Sequence, residues 1–537
     1  MRNKKLQVWL PLILSFCMVA GMFIGYRIKG NMPNTGIFFI DRQRPVQEVL
    51  DLVSRKYVDK ENADSLGDAA IEAILANLDP HSVFLPPREL KEVNEDLEGK
   101  FYGIGVEFNI FNDTINVLNV LPNGPSDKAG LIVGDKFLKV GDSIITGKNI
   151  TAEKIKNLLR GTGGSKADIT ILRNGVKKII SITRGFIPLY SLDAEYMIAD
   201  TVGYIRLNKF SATTYKEFMQ ATENLQKQGM KSMILDLRDN GGGILTQATD
   251  IADEFLSEDK LITYTEGEHS PKKEYRCSKE GVFEKGKLVV LANEGTASAS
   301  EVLIGALQDW DRATVMGRRS FGKGLVQEQY ELNDGSGLRL TVARYYTPLG
   351  RSIQKSYKNG VQEYNKDLMN RFHNGEMSFA DSIKHTNEKE YKTNSGKIVY
   401  GGGGITPDIF VPYDTLAIDK QITLALIKGT FNNFVYRNYL EHKKEFISYN
   451  SPKNFQEKYN VDDATLKSLK NYAQEDSIDF DLADVKEKSL LQKQIKIMTA
   501  RQIWRTQGLY EVSNPEDETI NKALEFIKNG SLAHVSK

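Results

Sequence analysis

The sequence predicts a multidomain chain of mixed α+β and α/β class, and three observations predict it. At 537 residues the chain exceeds what one hydrophobic core usually serves. Between positions 100 and 185 short strand-like runs follow one another with turn signals, and from 186 to 415 strand-like and helix-like segments alternate. Both ends carry helical periodicity instead. With 40% hydrophobic and 26% charged residues the composition is that of an ordinary globular protein. Lys and Arg total 71 against 70 Asp and Glu, so no net charge draws the chain toward phosphate backbones, and nucleic acid is not an expected partner. The two cysteines, Cys17 and Cys277, offer no disulfide framework.

From Leu6 to Tyr26 the chain carries no charge, with Trp9 and Tyr26 near the ends of the run. That length predicts a membrane-spanning helix. A cleaved signal peptide is the alternative, but Met18 stands where a small residue would be needed before Ala20. Arg2, Lys4 and Lys5 before the run, against Arg27 and Lys29 after it, lean toward a cytoplasmic N-terminus. Residues 1–30 are therefore expected to form a cytoplasmic tip and anchor, with the bulk of the chain outside the cytoplasm.

Residues 45–98 read as a helical domain, with Val46, Val49, Leu50 and Val53 and then Ile71, Ile74, Leu75 and Leu78 at helical spacing. LDPHSVFLPP (78–87) closes it as a turn-rich segment. Strands at 101–110, 114–121 and 136–145, a helix at 151–160 and a hairpin around Asn174-Gly175 make a compact β-rich module over 100–185. From 186 to 415 strands at 202–210, 231–238, 287–293 and 312–317 alternate with helices at 213–228, 245–256 and 298–310. Such a domain places its chemistry at strand C-terminal ends. A polar stretch at 355–400 reads as an insertion, and residues 416–537 as a helical C-terminal domain without a chemical motif.

NEGTASASEVLIGALQDW (293–310) sets Ser298 at a helix N-terminus, where free N–H groups and the helix dipole favour an alkoxide or an oxyanion. Ser298 with Glu301 is equally a capping box. A nucleophilic serine needs a base, and none of the six histidines stands in a triad-like motif. Lys323, between Gly322 and Gly324 in GRRSFGKGLVQEQY, is the better candidate: closely packed backbone can desolvate the amine and lower its pKa, and Gln327 could orient it. Read alone, Lys323 is a solvated lysine in a Gly-rich turn. The same run nearly matches a phosphate-binding loop, but Gly324 replaces the Ser/Thr and a strand-like LVQEQYEL follows. DLRDNGGG (236–243) ends a buried-looking strand, and an amide near Gly242 together with that of Ala299 could form an oxyanion hole; a tight turn is the alternative. Asp309 and the cluster Asp236, Arg238 and Asp239 read as structural ion pairs. No cluster has metal-ligand spacing, and no cofactor is expected.

Together, GTASASE, the lysine of GKG with Gln327, DLRDNGGG, YYTPLGRSIQ (345–354) and GGITPDIFV (403–411) resemble the C-terminal processing, or tail-specific, serine peptidases. YGIGVEF with LPNGPSDKAGLIVGD looks like that family's PDZ domain. The resemblance spans residues 45–415. It implies a crotonase-like α/β protease core with Ser298 as nucleophile, Lys323 as base, Gln327 as the residue that orients the lysine, and Asp309 at a family acidic position. It further implies that Tyr102, Gly103, Ile104, Gly105 and Val106 form a carboxylate-binding loop for apolar C-terminal tails of protein substrates. A Ser-Lys dyad working through an acyl-enzyme, on an inner-membrane protein with a periplasmic catalytic domain, is the resulting expectation. An inactive PDZ adaptor is the alternative. The insertion before GGGGITPD and the tail after Pro412 depart from compact members, which leaves the oligomeric state open, a homo-oligomer included.

Overall fold

The computed structural model describes residues 9, 11, 14–23 and 45–530, apart from 112, 148–149, 386–387 and 415–418. The expected membrane span at 6–26 is described only at 9, 11 and 14–23, and its charged flanks lie outside the described residues. These described residues are helical and mostly exposed. Among the described residues no helix is long and apolar enough to cross a membrane, so the spanning helix is not borne out there.

The chain divides after Ala73 into two units. In the first, Pro45–Lys56 is a helix and most of the helix Ala63–Leu75 follows. The second unit, from Ile74 onward, has strand β1 (Val83–Leu85) as its first strand, followed by the helix Pro87–Glu98, which stops at Gly99 in the left-handed region (φ 71°). Strands β2 (Lys100–Gly103), β3 (Val106–Phe111), β4 (Thr114–Val120), β5 (Lys136–Val140), β6 (Ser143–Ile144), β7 (Lys166–Arg173), β8 (Val176–Thr183) and β9 (Gly185–Pro188) then build the β-rich module expected at 100–185. Its sheet runs β3-β4-β5-β7-β8, and β2 pairs separately with β9. The run expected as one strand at 101–110 is broken at Ile104 and Gly105, where φ of Gly105 is 75°. The β7-β8 hairpin turns at Asn174-Gly175, both at positive φ, the conformation a two-residue hairpin turn requires.

A second sheet carries the α/β part. It consists of β10 (Leu192–Ala199), β11 (Val202–Leu207), β12 (Ser232–Asp236), β15 (Leu288–Ala292), β16 (Thr314–Gly317) and β21 (Ile409–Phe410), in that order and parallel from β11 onward. Strands β11, β12 and β15 are buried throughout. Because successive side chains point to opposite faces, these strands must be covered twice. Leu235 and Val290 meet Phe218, Ile251 and Leu303 from the helices Thr214–Lys227, Leu245–Asp253 and Ala299–Asp309. On the other face Ile234, Val289 and Leu291 meet Ile520, Ala523 and Ile527 of the helix Glu518–Asn529.

The helical tail thus has two jobs. Its last helix closes the α/β sheet, while Lys420–Ile427 through Val485–Ser513 enclose an aromatic-rich core of their own. That second part also grips strand β4: Tyr436 Oη donates to the Val117 carbonyl (3.2 Å) and Gln502 Nε2 to that of Leu118 (2.9 Å).

A third, antiparallel sheet joins β13 (Leu261–Gly267), β14 (Ser270–Arg276), β17 (Leu325–Glu331) and β18 (Gly337–Tyr346) to β1. The stretch read as an insertion at 355–400 contains a helix, Val361–His373, and the hairpin Glu390–Lys392 with Ile398–Tyr400. That helix is tied to the core. Arg371, buried, donates to the carbonyls of Ser320 (2.8 Å), Phe321 (3.2 Å) and Gly403 (3.1 Å).

Candidate active site

Strands β12 and β15 end side by side, and the segments leaving their C-terminal ends carry DLRDNGGG and NEGTASAS. Asn240 joins them. Its carbonyl accepts from Ala297 N–H (2.9 Å) and Ser300 Oγ (3.0 Å), its Nδ2 donates to the Leu207 carbonyl (2.9 Å), and its Oδ1 accepts from Gly242 N–H (2.9 Å). Gly242, at φ 92°, lies against the serine: a Cβ built on it would come within 2.8 Å of Ser298 Cβ and of the Ala297 carbonyl oxygen. Of the two amides expected to form an oxyanion hole, that of Gly242 is therefore committed to Asn240 in this structure. The amide of Ala299, the first residue of its helix, has no hydrogen-bond partner among the described residues, as the first turn of a helix leaves it.

Ser298 itself is strained, with φ 56° and ψ −116°, a region that a non-glycine residue occupies only when its surroundings force it. The capping geometry with Glu301 is present, but the Ser298 hydroxyl makes no cap hydrogen bond. The carboxylate half is firm: Ser298 N–H donates to Glu301 Oε2 at 2.8 Å.

Glu301 reaches further than a cap. Its Oε1 accepts from Gly322 N–H (2.7 Å) and Ser320 Oγ (2.5 Å), and its Oε2 also accepts from Lys323 N–H (2.9 Å). The Gly-rich run that resembles a phosphate loop is thus an anion nest filled by the chain's own carboxylate. Glu301 is fully buried, and burial lifts its pKa to about 7 while the donors around it pull it down. Tyr345 Oη bridges the same two segments from the other side, donating toward the carbonyls of Ser298 (3.1 Å) and Lys323.

Lys323 Nζ donates to Gln327 Oε1 at 3.0 Å. Burial, then the nearby Arg339, lower its pKa from the ordinary 10.5, against the opposing pull of Asp79 and Glu301. No hydrogen bond joins Ser298 Oγ to Lys323 Nζ among the described residues. Gln327 Nε2 donates in turn to the backbone carbonyl of His81. The ring of that histidine lies in the same neighbourhood: its Nε2 is 2.7 Å from Tyr364 Oη, and burial followed by the Lys323 charge lowers its pKa to about 4. The sequence predicts only a turn-rich segment at 78–87. The signal it held is Asp79 two and three residues before backbone amides, the pattern of a local side-chain-to-backbone turn.

The structural ion pairs are as expected. Asp309 meets the buried Arg351 (2.5 Å) and accepts from Leu349 N–H (2.9 Å), while Asp236 pairs with Arg206 (2.9 Å) and Arg238 (2.7 Å). Cys277 is buried and unpaired.

In the β-rich module, between β2 and β3, the Ile104 carbonyl accepts from Ser126 N–H (3.0 Å) and the Gly105 carbonyl from Leu121 N–H (3.0 Å). The amides of Ile104 and Gly105 have no hydrogen-bond partner among the described residues. Gly103 pairs with Gly185, Val106 with Val120, and Tyr102 is half exposed.

A PDZ domain ahead of a serine-type peptidase core defines the class of this protein. The profile of peptidase family S41 matches residues 201–366, that of the PDZ domain residues 103–183, and that of a family of unknown function residues 423–505. A carboxy-terminal-processing protease of Bartonella bacilliformis is 34% identical over 313 residues, 57% of this chain and 71% of that protein. A carboxyl-terminal-processing protease of Synechocystis is 34% identical over 368 residues, 64% of this chain and 84% of its own length. A solved photosystem II D1 C-terminal processing protease is 27% identical, covering 70% of this chain and 95% of its own, with a TM-score of 0.36. The chain belongs to the C-terminal processing proteases of peptidase family S41.

Proposed function

We propose that this protein is an endopeptidase that captures the C-terminal tail of a protein substrate on its PDZ domain and cleaves the chain at or near that end with a Ser298-Lys323 dyad. The observation that carries this reading is the desolvated Lys323 amine, held by Gln327 on a segment that Glu301 and Tyr345 lock to the Ser298 segment. Neutral Nζ takes the hydroxyl proton as Ser298 Oγ attacks the scissile carbonyl. The developing oxyanion is met by Ala299 N–H, joined by an amide near Gly242 once that loop releases Asn240. The protonated amine then gives its proton to the leaving amide nitrogen, and water, activated the same way, hydrolyses the acyl-enzyme. Closing the distance between Oγ and Nζ is part of substrate binding in this reading, since the two are not hydrogen-bonded at rest.

Residues 102–106 take the terminal carboxylate on the unclaimed amides of Ile104 and Gly105. The uncharged run at 6–26 supports an envelope location with the catalytic domain outside the cytoplasm, and protease accessibility of intact against permeabilised cells tests it. For the chemistry, Ser298→Ala and Lys323→Ala are expected to abolish cleavage of an unfolded, apolar-tailed substrate while tail binding persists. Undiminished cleavage by Ser298→Ala would sink the reading.

A further inference from the structure

The turn at 79–82 comes from far upstream of the catalytic residues and is built around one carboxylate. Asp79 Oδ1 accepts from His81 N–H (2.8 Å), Ser82 N–H (2.9 Å) and Thr341 Oγ1 (3.0 Å), and its Oδ2 accepts from Ser82 Oγ (2.6 Å). Ser82 Oγ accepts from Thr341 N–H (3.1 Å), and β1 continues the pairing with β18 from Val83 opposite Arg339. Asp79 and Ser82 are both buried, 8% and 5% exposed. Thr341 is the cross-strand partner of Gln327, at the point where the β17-β18 register shifts. The turn is therefore fastened to the strand directly opposite Gln327.

The product of this construction is a fixed carbonyl. The His81 carbonyl can only accept, so it requires the Nε2 end of Gln327, and the amide then presents Oε1 to Lys323 Nζ. An amide turned the other way would face the amine with its own N–H groups and repel the ammonium form that appears during catalysis.

We propose that the 79–82 turn is a positioning element of the catalytic site, in which Asp79 holds the His81 carbonyl and that carbonyl sets the orientation of Gln327 toward Lys323. The inference rests on the reading of Lys323 as the base. Asp79 touches no reacting atom: it positions through Gln327, and its charge also pulls the Lys323 pKa upward. The lowered pKa of the His81 ring agrees with a neutral ring bonded to Tyr364.

The test is a kinetic cycle on the full chain with an apolar-tailed peptide of free C-terminus. Asp79→Ala is expected to lower kcat about 10- to 100-fold, as small misplacements of a catalytic group do, with KM changed less than about twofold. The acidic limb of its kcat/KM profile is expected to move to lower pH than in the wild type, because the Asp79 charge that raises the Lys323 pKa is lost with the turn. Introduced into a Gln327→Ala background, Asp79→Ala should cost less than about threefold more, because the two residues act in series. Should Asp79→Ala fail to fold, Asp79→Asn and Ser82→Ala weaken the same turn more gently and must show the same non-additivity. Fully additive losses, or unaltered kcat and pH profile, overturn the inference. His81→Ala retains the carbonyl and should lose several-fold less than Asp79→Ala; a loss as deep as that of Lys323→Ala would assign the role to the ring and overturn it equally. Lys323→Ala separates the two failures. If it still turns over, the base assignment falls and this inference with it; if it is dead while the Asp79 variants are normal, only the positioning role falls.

Discussion

Ser298 and Lys323 donate their backbone amides to the same oxygen: Glu301 Oε2 accepts from the first at 2.8 Å and from the second at 2.9 Å. One buried carboxylate thus fixes the segments of both proposed catalytic residues before any substrate arrives. Ser298 Oγ and Lys323 Nζ, the atoms that exchange a proton in the proposed mechanism, are not hydrogen-bonded to each other, so in that mechanism the backbone is preorganised while the final approach is left to binding.

Replacing Glu301 tests that arrangement. Glu301→Ala leaves four buried donors without their acceptor, each costing about 1–3 kcal/mol, and is expected to lower both the unfolding midpoint and kcat sharply. Glu301→Gln should fold better yet stay at least about tenfold slower, because its –NH2 opposes donors that the carboxylate accepted. Wild-type kcat in Glu301→Gln would refute the bridge.

The stability of the wild-type protein should carry the signature of the same group. The folded pKa of Glu301, about 7, is raised above the ordinary 4.5, so its contribution is complete below 4.5 and is lost as pH rises through 7. Chemical denaturation from pH 4 to 8, compared with Glu301→Gln, which lacks the titration, measures the slope.

Activity should show the opposite trend at low pH. Lys323 must be neutral to accept a proton, and its pKa lies below 10.5. Turnover is expected to fall as pH drops through that lowered value and the ammonium form accumulates, with the limb displaced below that of an ordinary lysine. A kcat/KM profile on a tail peptide that is flat from pH 6 to 11 would remove Lys323 from the base role.

Gly242→Ala combines a left-handed φ of 92° with a Cβ 2.8 Å from both Ser298 Cβ and the Ala297 carbonyl. Catalysis is expected to drop at least about 100-fold, since a displacement of about 1 Å in the reacting geometry costs that much. Tail-peptide binding on the PDZ domain should be kept, and titration calorimetry beside turnover separates the two.

The last helix is predicted to be part of the protease fold. Ile520 is fully buried on the α/β sheet, and Ile520→Ala is expected to cost about 2–5 kcal/mol in urea unfolding. A change below about 0.5 kcal/mol, the range of an ordinary surface substitution, would show that the helix does not hold the sheet.

Much of this was legible in the sequence because it is local. The alternation of strand and helix, the Asn174-Gly175 turn, Ser298 at a helix start and Lys323 between glycines all follow from neighbouring residues, whose φ preferences and apolar period act over a few positions. The sequence by itself also paired Gln327 with Lys323, four residues apart on one segment. Which distant groups meet depends on the folded chain. The His81 carbonyl reaches Gln327 across 246 positions, Glu301 crosses to the Gly322-Lys323 loop, and the Gly242 amide turns to Asn240 instead of the site. Those choices depend on backbone carbonyls and amides, which every residue possesses and no motif marks. The same holds for the helix at 518–529: its amphipathic pattern is plain in the sequence, but the face of the sheet that needed covering exists only once β11, β12 and β15 lie side by side.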